Sequence, residues 1–358
     1  MFQITPQAFG LDISDNSLKI ALLKKKGRNL SLESFSQIIL PPGLVQQGDI
    51  VNPDEIANWI KKAITQVEGR RIKTQYVLTS LPEERSFVQV IPLPPMKSQE
   101  INNALQWEIE AHIPLKSDEV FLDWQLVEPY NKKAKQIYVL IAATPQNIVT
   151  NYVRALDMAG LLPLALEVAS ISTARSLIEK GKSQNPTAIL DLGIDRTAFL
   201  LYSGKTLCFT ANIPLGSQHL TQAISEKMSV DLNTAENLKT KVGLDEKKGK
   251  EILQSCQPIL DQIITETQKY ISFFQHQCPL DYAPCESVKK VLICGGGAQL
   301  FGLSAYLSLG LKIPAELANP WINILKPPLK SVPKLSFTES LGFSTCLGLA
   351  LGGLELIP

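Results

Sequence analysis

Alternating and continuous apolar runs at the start of the chain predict three short strands. They cover residues 10–13, 18–24 and 30–40 and are separated by polar turns, as in a meander of strands. Pro53 then opens a helical pattern in which apolar residues recur at spacings of three and four. These residues are Ile56, Trp59, Ile60, Ala63, Ile64 and Val67. A strand over 75–80 follows this helix.

The pattern changes after residue 85, where a small α+β module is predicted. Its strands cover 87–91, 120–128 and 136–144, and its helices cover 98–112 and 145–160. The proline-rich "IPLPP" marks the entry and "GLLP" the exit, because proline fixes the backbone and favours a change of direction. A helix over 169–181 is expected next.

The second part of the chain repeats the opening arrangement. Strands are predicted at 187–193, 197–202 and 207–213, and "LDLGIDRT" takes the place that "LDISDNS" has about 180 residues earlier. Helices fill 216–278, including a long one over 246–277. A strand over 291–294 runs into a triple glycine and a helix, "AELANP" contains a short strand, and an apolar helix covers 338–351. The chain is therefore predicted to consist of two related halves.

Composition and charge narrow the class of protein. The chain has 358 residues, 45% hydrophobic and 19% charged, which is typical of a globular protein, and its formal charge is +1. A charge this small excludes general attraction to nucleic acid or anionic lipid. The basic run at Lys24–Lys26 and Arg28 is typical of a solvated hairpin tip, with a lipid or partner contact as the alternative.

No segment is predicted to cross a membrane or direct export. The run 341–354 is glycine-rich and shorter than the roughly 18–20 residues that a span needs, so we expect a buried helix. Residues 1–10 lack the features of a secretory signal. The six cysteines contain no CxxC pair, which favours reduced thiols and a cytoplasmic location.

Two polar turns and one glycine turn are candidates for binding a phosphate ligand. Small residues and hydroxyls let backbone N–H groups approach a phosphate, and a carboxylate at a strand end can assist a divalent cation. Asp12 and Asp191 occupy such strand ends. Either turn alone is more simply an ordinary turn, but their repetition favours a ligand shared by the two halves. Gly295–Gly297 could admit a flat ring, or it could be a tight strand-to-helix turn.

Other catalytic motifs are not supported. Gly204–Thr206 ends like a Walker A motif, but Phe199 stands where its first glycine should be. Leu300 takes the third glycine position of a dinucleotide-binding pattern. The histidines at 112, 219 and 276 fall in different predicted modules and form no hydrolytic triad, and His112 is expected at a helix end.

Together these motifs resemble the actin, Hsp70 and sugar-kinase superfold. The resemblance rests on the two Asp-bearing loops, a helix reading "LEVASISTARSL", Glu236 and Lys239 on a further helix, and the strand before the triple glycine. Within the superfold, "VLICGGGAQLFGLSAYLSLGLKIPAELANPWINI" and "LQWEIEAHIPL" are similar to the PilM family of type IV pilus assembly proteins, relatives of FtsA.

The resemblance implies an α/β, actin-like, two-lobed fold with duplicated RNase H-like subdomains and a small α+β insert. Subdomain 1A would comprise 1–84, 163–183 and 338–358, and the 1C insert would be 85–162. Subdomain 2A would comprise 184–225 and 288–337, and 2B would be 226–287.

The resemblance also implies ATP or ADP with Mg²⁺ between the halves. The first phosphate loop would use Asp12, Ser14, Asp15, Ser17 and Lys19, and the second Asp191, Gly193, Asp195, Arg196 and Thr197. Glu236, Lys239 and Gly295, Gly296 and Gly297 would contact the nucleoside, and Asp12 and Asp191 would serve the metal. Many members have glycine at the position of Ser14, and actin-like hydrolases often have Gly-Gly-Gly where this chain has Gly-Ile-Asp-Arg. We therefore expect slow or absent hydrolysis and no catalytic residue.

The implied partner is the cytoplasmic N-terminal peptide of a PilN-like membrane protein, bound in a groove between 1A and 1C. Such a scaffold would join the inner-membrane pilus platform to its motor, would lie at the cytoplasmic face of that membrane, and would bind no nucleic acid. A small-molecule kinase of the same superfold and a nucleotide-free type II secretion-like relative are the alternatives. Retention of ATP by the purified protein would separate the nucleotide-free relative, whereas the kinase would need a positioned general base and a sugar pocket.

Overall fold

The computed structural model describes residues 7–27, 29–112, 116–128, 135–245, 247–277, 287–326 and 332–356. The chain forms two compact units. Unit 1 comprises Met1–Gly181, Pro320–Leu335 and Phe343–Pro358, and unit 2 comprises Lys182–Asn319 and Ser336–Gly342.

The described elements follow the chain in this order. The strands are β1 (Phe9–Ser14), β2 (Ser17–Lys26), β3 (Asn29–Ile39), β4 (Val45–Gln46), β5 (Asp49–Ile50), β6 (Glu68–Gly69), β7 (Tyr76–Leu81), β8 (Phe87–Leu93), β9 (Val120–Val127), β10 (Ile137–Pro145), β11 (Leu162–Val168), β12 (Ser183–Leu192), β13 (Thr197–Gly204), β14 (Thr206–Ile213), β15 (Lys290–Cys294) and β16 (Ala315–Leu317). The helices are α1 (Pro53–Thr65), α2 (Ser98–His112), α3 (Gln146–Met158), α4 (Ala169–Leu177), α5 (Ser217–Met228), α6 (Leu232–Lys241), α7 (Lys250–Gln277), α8 (Leu303–Leu311), α9 (Phe337–Ser340) and α10 (Ser344–Leu356).

A six-stranded sheet in the order β11-β7-β1-β2-β3-β6 forms the centre of unit 1. The run of apolar residues in β2 serves both faces of this sheet, because successive side chains of a strand point to opposite sides. Ile20 and Leu22 join the cluster with Ile56 of α1 and Tyr152 of α3, whereas Leu23 joins the cluster with residues of α10. The predicted helix at Pro53 is confirmed, and the Asn52 side chain caps it by accepting from the Glu55 N–H at 3.2 Å.

The predicted α+β module also belongs to unit 1. Strands β8, β10 and β9 pair antiparallel in that order. Ile91 on β8, Leu105 on α2 and Ile141 on β10 share a buried cluster. The strands and helices predicted here are confirmed, including the position of His112 at the last residue of α2.

Unit 2 contains the second meander. Its strands pair in the order β16-β15-β12-β13-β14, with β12 and β15 parallel so that Asp191 lies opposite Cys294. Asp191 lies near the end of a largely buried strand, as Asp12 does in unit 1, which agrees with the predicted repeat. Cys208, Cys256, Cys294 and Cys346 are buried thiols, while Cys278 and Cys285 lie outside the described residues.

Three expectations need correction. Residues 162–168 form β11, a strand parallel to β7, so only the second part of "LEVASISTARSL" is helical. Gly296–Gln299 form a 3₁₀ turn, and α8 starts only at Leu303. The segment Pro320–Leu335, expected in 2A, belongs to unit 1, where Trp321 packs in the same cluster as Leu23. The finer four-part division stays a prediction.

No helix among the described residues is long and apolar enough to cross a membrane. The apolar C-terminal stretch predicted as a buried helix forms α10, whose residues from Ser344 to Gly353 are all buried.

Candidate functional site

The first polar turn is a tight connection between β1 and β2. Ser14 and Ser17 are the last residues paired across it, and the Ser14 hydroxyl donates to the Ser17 carbonyl at 3.1 Å. Asp12 lies opposite Lys19, with Lys19 Nζ 3.9 Å from Asp12 Oδ2, and it accepts from the Ser80 hydroxyl at 2.7 Å. Four of the predicted residues therefore lie together at one end of the unit 1 sheet.

Asp15 has a structural contact in this turn. Its Oδ1 accepts from the Gly48 N–H at 2.7 Å. Gly48 has φ +77°, and a Cβ there would collide with Pro82 and Glu84. Asp15 therefore fixes the turn to the Gly48 loop, and this contact gives the residue a role that needs no ligand.

The second polar turn connects β12 and β13 and contacts the first residue of α5. The Gly193 N–H donates to the Arg196 carbonyl at 2.9 Å, and the Ser217 N–H donates to the Gly193 carbonyl at 2.9 Å. Asp195 lies within this turn. Thr197 is fully buried, and its hydroxyl donates to the Leu215 carbonyl at 2.7 Å. That hydrogen bond stabilises the turn, and a role for Thr197 toward a phosphate stays a prediction.

The glycine turn adjoins Asp191. Gly295 has φ +84°, and a Cβ there would collide with Asp191 Oδ1 and the Leu192 carbonyl. At Gly297 a Cβ would lie 2.9 Å from Ser217 Cβ, whereas at Gly296 it would meet no atom within 4 Å. The first and third glycines thus allow close packing beside the carboxylate, and the middle one borders open space.

Lys239 on α6 is almost completely buried, with 4% of its side chain exposed. Its Nζ lies 2.6 Å from Glu236 Oε2, and it donates to the Thr221 hydroxyl at 2.8 Å and the Ser217 carbonyl at 3.2 Å. Glu236 also accepts from Thr221 at 2.6 Å and is half exposed. Lys239 therefore joins α6 to the N-terminal turn of α5, which also supports the second polar turn and Gly297.

Unit 1 contains a groove of about 320 Å³ between the α+β module and the six-stranded sheet. Its walls are mainly apolar, with a few polar side chains. The lining residues are Leu81, Phe121, Leu122, Asp123, Trp124, Gln125, Leu140, Ala142, Thr144, Val149, Leu166, Glu167, Val168, Ile171 and Arg175.

Strand edges border this groove on two sides. Among the described strands, β9 pairs only with β10 and β11 pairs only with β7. Five consecutive residues of β9 and three of β11 line the groove, so their backbone edges and not just one face of each strand border it. An extended segment could therefore form main-chain hydrogen bonds with these edges.

A paired charge lies at the β11 side of the groove. Arg175 of α4 binds Glu167 of β11 in a fork, with Nη1–Oε2 at 2.7 Å and Nη2–Oε1 at 3.0 Å. Arg175 also donates to the Gly348 carbonyl at 3.2 Å, which fixes its orientation. This pair was not among the predicted site residues, because Glu167 and Arg175 lie eight positions apart on a strand and the following helix and form no motif in the sequence. Phe121, 55% exposed on an edge strand, is a structural sign of a binding surface.

The described residues contain no group of three or more His, Cys, Asp or Glu side chains arranged to hold a metal ion. Mg²⁺ bound with a nucleotide needs only one or two protein carboxylates, since phosphate oxygens and water complete its shell. A role for Asp12 and Asp191 toward Mg²⁺ stays a prediction.

Comparison with solved structures identifies the fold as actin-like. A solved PilM–PilN type IV pilus biogenesis complex contains a chain that is 28% identical, with a TM-score of 0.81, covering 98% of this chain and 99% of that one. The ethanolamine utilization protein EutJ of Carboxydothermus hydrogenoformans is 15% identical, with a TM-score of 0.55 and coverage of 97% and 89%. MreB5 of Spiroplasma citri, solved with AMPPNP, is 12% identical, with a TM-score of 0.51 and coverage of 95% of each chain. The predicted actin-like α/β fold is confirmed.

Sequence relatives and a family model agree with this result. The cell division protein FtsA of Enterococcus hirae is 23% identical over 186 residues, which are 52% of this chain and 37% of FtsA. FtsA of Enterococcus faecalis is 21% identical over 182 residues, again 37% of its length, so the match takes in well under half of these relatives. The model of the type IV pilus assembly protein PilM matches residues 10–354. The chain therefore belongs to the PilM family of type IV pilus assembly proteins.

Proposed function

We propose that this protein is a scaffold of type IV pilus assembly that binds the N-terminal segment of a PilN-like inner-membrane protein in the unit 1 groove. The observation that carries the proposal is the groove itself, bordered by the edges of β9 and β11, each of which pairs on one side only with the other described strands. The similar chain solved in a PilM–PilN complex supports the choice of partner. In this role the protein lies at the cytoplasmic face of the inner membrane and connects the membrane platform to the motor.

The groove fits an extended segment better than a helix. An extended peptide turns alternate side chains to opposite sides, so one set can enter the apolar wall formed by Leu122, Leu140 and Ile171 while the backbone pairs with β9 or β11. Asp123 and the Glu167–Arg175 pair offer polar contacts at the margins. The apolar wall provides affinity, and the strand edges determine the direction and register of the peptide.

A fluorescence anisotropy titration with a labelled PilN-like N-terminal peptide tests this proposal. Phe121→Ser should weaken binding about tenfold, because it removes an aromatic contact from the groove while a half-exposed side chain contributes little to folding. Leu126→Ser is the matched control, since Leu126 is similarly exposed on the same strand but does not line the groove. No binding by the unaltered protein, or equal losses in both variants, would refute the groove as the peptide site.

We further propose that unit 2 binds ATP or ADP with Mg²⁺. The favouring observation is that Asp191, the glycine turn and the Lys239 cluster lie together around the start of α5, beside open space at Gly296. Asp191 would act toward the metal, Gly295–Gly297 would admit the nucleoside, and Glu236 and Lys239 would provide its polar contacts. When bound, the nucleotide would act as a structural or switching ligand. Roles for the unit 1 residues Asp12, Ser14, Ser17 and Lys19 stay predictions, as do those of Gly193, Asp195 and Arg196.

Thermal unfolding with and without MgATP tests the nucleotide proposal. A ligand that binds only the folded state should raise the unfolding temperature of the unaltered protein by about 5 °C or more at 100 times its Kd. Gly296→Val should abolish that rise and leave the ligand-free unfolding temperature nearly unchanged, because its new side chain enters open space. A rise that persists in Gly296→Val and in Asp191→Asn would place nucleotide elsewhere.

A further inference from the structure

Three segments of unit 1 concentrate basic residues around the β2–β3 hairpin. The residues of these segments that the structure describes (24–27, 29–33, 68–73, 326 and 332–334) contain eight basic and two acidic side chains, a net charge of +6. The whole chain has a net charge of only +1, so all its other residues together carry −5. The near-neutral total therefore conceals a strongly uneven distribution of charge.

Direct contacts join the first two segments. Lys24 Nζ and Arg70 Nη1 lie 3.4 Å and 3.2 Å from the same oxygen, Oε1 of Glu33. The Arg70 N–H donates to the Glu33 carbonyl at 3.2 Å, and Ser34 of β3 pairs with Gly69 of β6. Glu33, one of the two carboxylates in these segments, is thus already shared by two cations.

Apolar packing brings the third segment to the same hairpin. Leu335 shares a buried cluster with Leu23 of β2, and Leu325 packs against that cluster together with Leu30 and Leu32 of the hairpin. Lys326 and Lys334 each adjoin one of these anchored leucines in sequence. Basic residues therefore lie at the β6 edge of the hairpin and beside the apolar cluster that Leu23 joins, and we call the described basic residues of the three segments the basic surface.

The described cations of the basic surface are all exposed to solvent. Glu68 and Glu355, also exposed, are acidic neighbours that only partly offset them. Val332 lies in the same surface and is 83% exposed, an unusual position for an aliphatic residue between lysines. The exposed cations are Lys24, Lys25, Lys26, Arg70, Arg71, Lys73, Lys326 and Lys334.

We propose that the basic surface docks on an anionic phospholipid bilayer. Long lysine side chains reach headgroup phosphates from several directions, and an exposed aliphatic residue among them can enter the interface between headgroups and acyl chains. The choice of a bilayer over another polyanion rests on the proposed function, which brings the chain to a membrane. The groove lies at the β11 edge of the sheet and the basic surface at the β3–β6 edge, so peptide and bilayer use separate surfaces.

Vesicle flotation with the full-length protein and no peptide tests this proposal. We expect binding to vesicles of phosphatidylglycerol and phosphatidylcholine in equal amounts, little binding to phosphatidylcholine alone, and loss of binding in ~0.5 M NaCl. The variant Lys25→Gln/Lys26→Gln/Arg71→Gln/Lys326→Gln should bind the anionic vesicles at least tenfold more weakly. Each basic residue near an anionic membrane surface increases the partition of the protein onto that membrane by about fivefold. It leaves the Lys24–Glu33–Arg70 contacts intact.

The matched control is Lys227→Gln/Lys241→Gln/Lys250→Gln/Lys289→Gln, which removes four exposed cations from unit 2 and should weaken binding less than twofold. Equal losses in the two variants, or equal binding to both vesicle types, would overturn the proposal, as would binding to a DNA oligonucleotide in place of vesicles. The peptide titration on the first variant should be unchanged. Failure of peptide binding with intact vesicle binding would instead count against the proposed function alone.

Discussion

Lys239 shows how a single buried cation can stabilise a site before any ligand is present. Its ammonium group binds Glu236, Thr221 and the Ser217 carbonyl, and so ties α6 to the first turn of α5. Burying a cation is unfavourable unless each of its N–H groups donates a hydrogen bond, and the ammonium group of Lys239 has three acceptors for its three N–H groups. The same three donors could be redirected to a ligand, because Glu236 is half exposed and can be solvated.

Lys239→Met should lower the free energy of unfolding by about 1–3 kcal/mol, because it removes the buried ammonium group that binds the Ser217 carbonyl, the Thr221 hydroxyl and the Glu236 carboxylate together. Lys241→Met, two residues further on α6 at an exposed position, should change it by less than about 0.5 kcal/mol. Urea unfolding without nucleotide measures both. Equal effects would show that the contacts of Lys239 contribute nothing beyond its charge.

The fate of the predicted site residues shows what single-residue patterns can and cannot predict. The strand-end positions of Asp12 and Asp191 followed from the sequence, because a carboxylate after a buried apolar run can only lie near the end of that strand. The hydrogen bonds of Thr197 and Asp15 did not follow. Their partners, Leu215 and Gly48, are distant in sequence, and nothing in either turn specifies them.

At the scale of elements, α10 and α4 pack closely because small residues line their contact. Thr173 and Thr345 place their hydroxyls 2.8 Å apart, and a Cβ on Gly348 would collide with the Ser172 carbonyl. The sequence of residues 341–354 is unlike that of a membrane span partly because it is rich in glycine. Glycines of this stretch let α10, α4 and the sheet approach one another closely.

Gly348→Ala should destabilise unit 1 by at least about 2 kcal/mol, because the added methyl group meets backbone atoms of α4 that cannot move without shifting the helix. Gly342→Ala is the control, since its Cβ would lie 3.7 Å from Gly296 at ordinary contact distance. Thermal unfolding monitored by circular dichroism compares the two. A stable Gly348→Ala protein would mean that α4 and α10 can separate without cost.

Most elements were predictable from periodicity, and β11 shows why one was not. Leu162, Leu164, Leu166 and Val168 alternate as in a strand, but Pro163 interrupts the run and the segment is too short and too close to the following helical pattern to be separated from it by periodicity alone. What makes them a strand is parallel pairing with β7, an interaction with residues more than 80 positions earlier. Periodicity could not predict the groove for the same reason, since one of its borders is this strand, and only the family resemblance implied a groove between 1A and 1C.

At the scale of the whole molecule, both units bury ionisable groups in their protonated forms. Burial raises the pKa of the Tyr152 hydroxyl and the Cys346 thiol in unit 1 well above their ordinary values. In unit 2, burial raises the pKa of Tyr202 to about 12 and the pKa of Cys256 to about 12. In the unfolded chain these groups would release protons at a lower pH, so the folded protein binds more protons in alkali.

The free energy of unfolding should therefore fall as the pH rises above the unfolded pKa values near 9 and 10, and be constant with respect to these groups below them. Cys256→Ala removes one of these groups. Between pH 7.5 and pH 10, the free energy of unfolding of this variant should fall by about 1 kcal/mol less than that of the unaltered protein. The reason is that a thiol of pKa 9.0 in the unfolded chain is mostly ionised at pH 10, whereas the buried thiol is not. Ser255→Ala, at the neighbouring buried position, has no such group and should follow the unaltered protein. Urea unfolding at the two pH values gives the comparison, and parallel losses in all three proteins would show that Cys256 ionises alike in the folded and unfolded states.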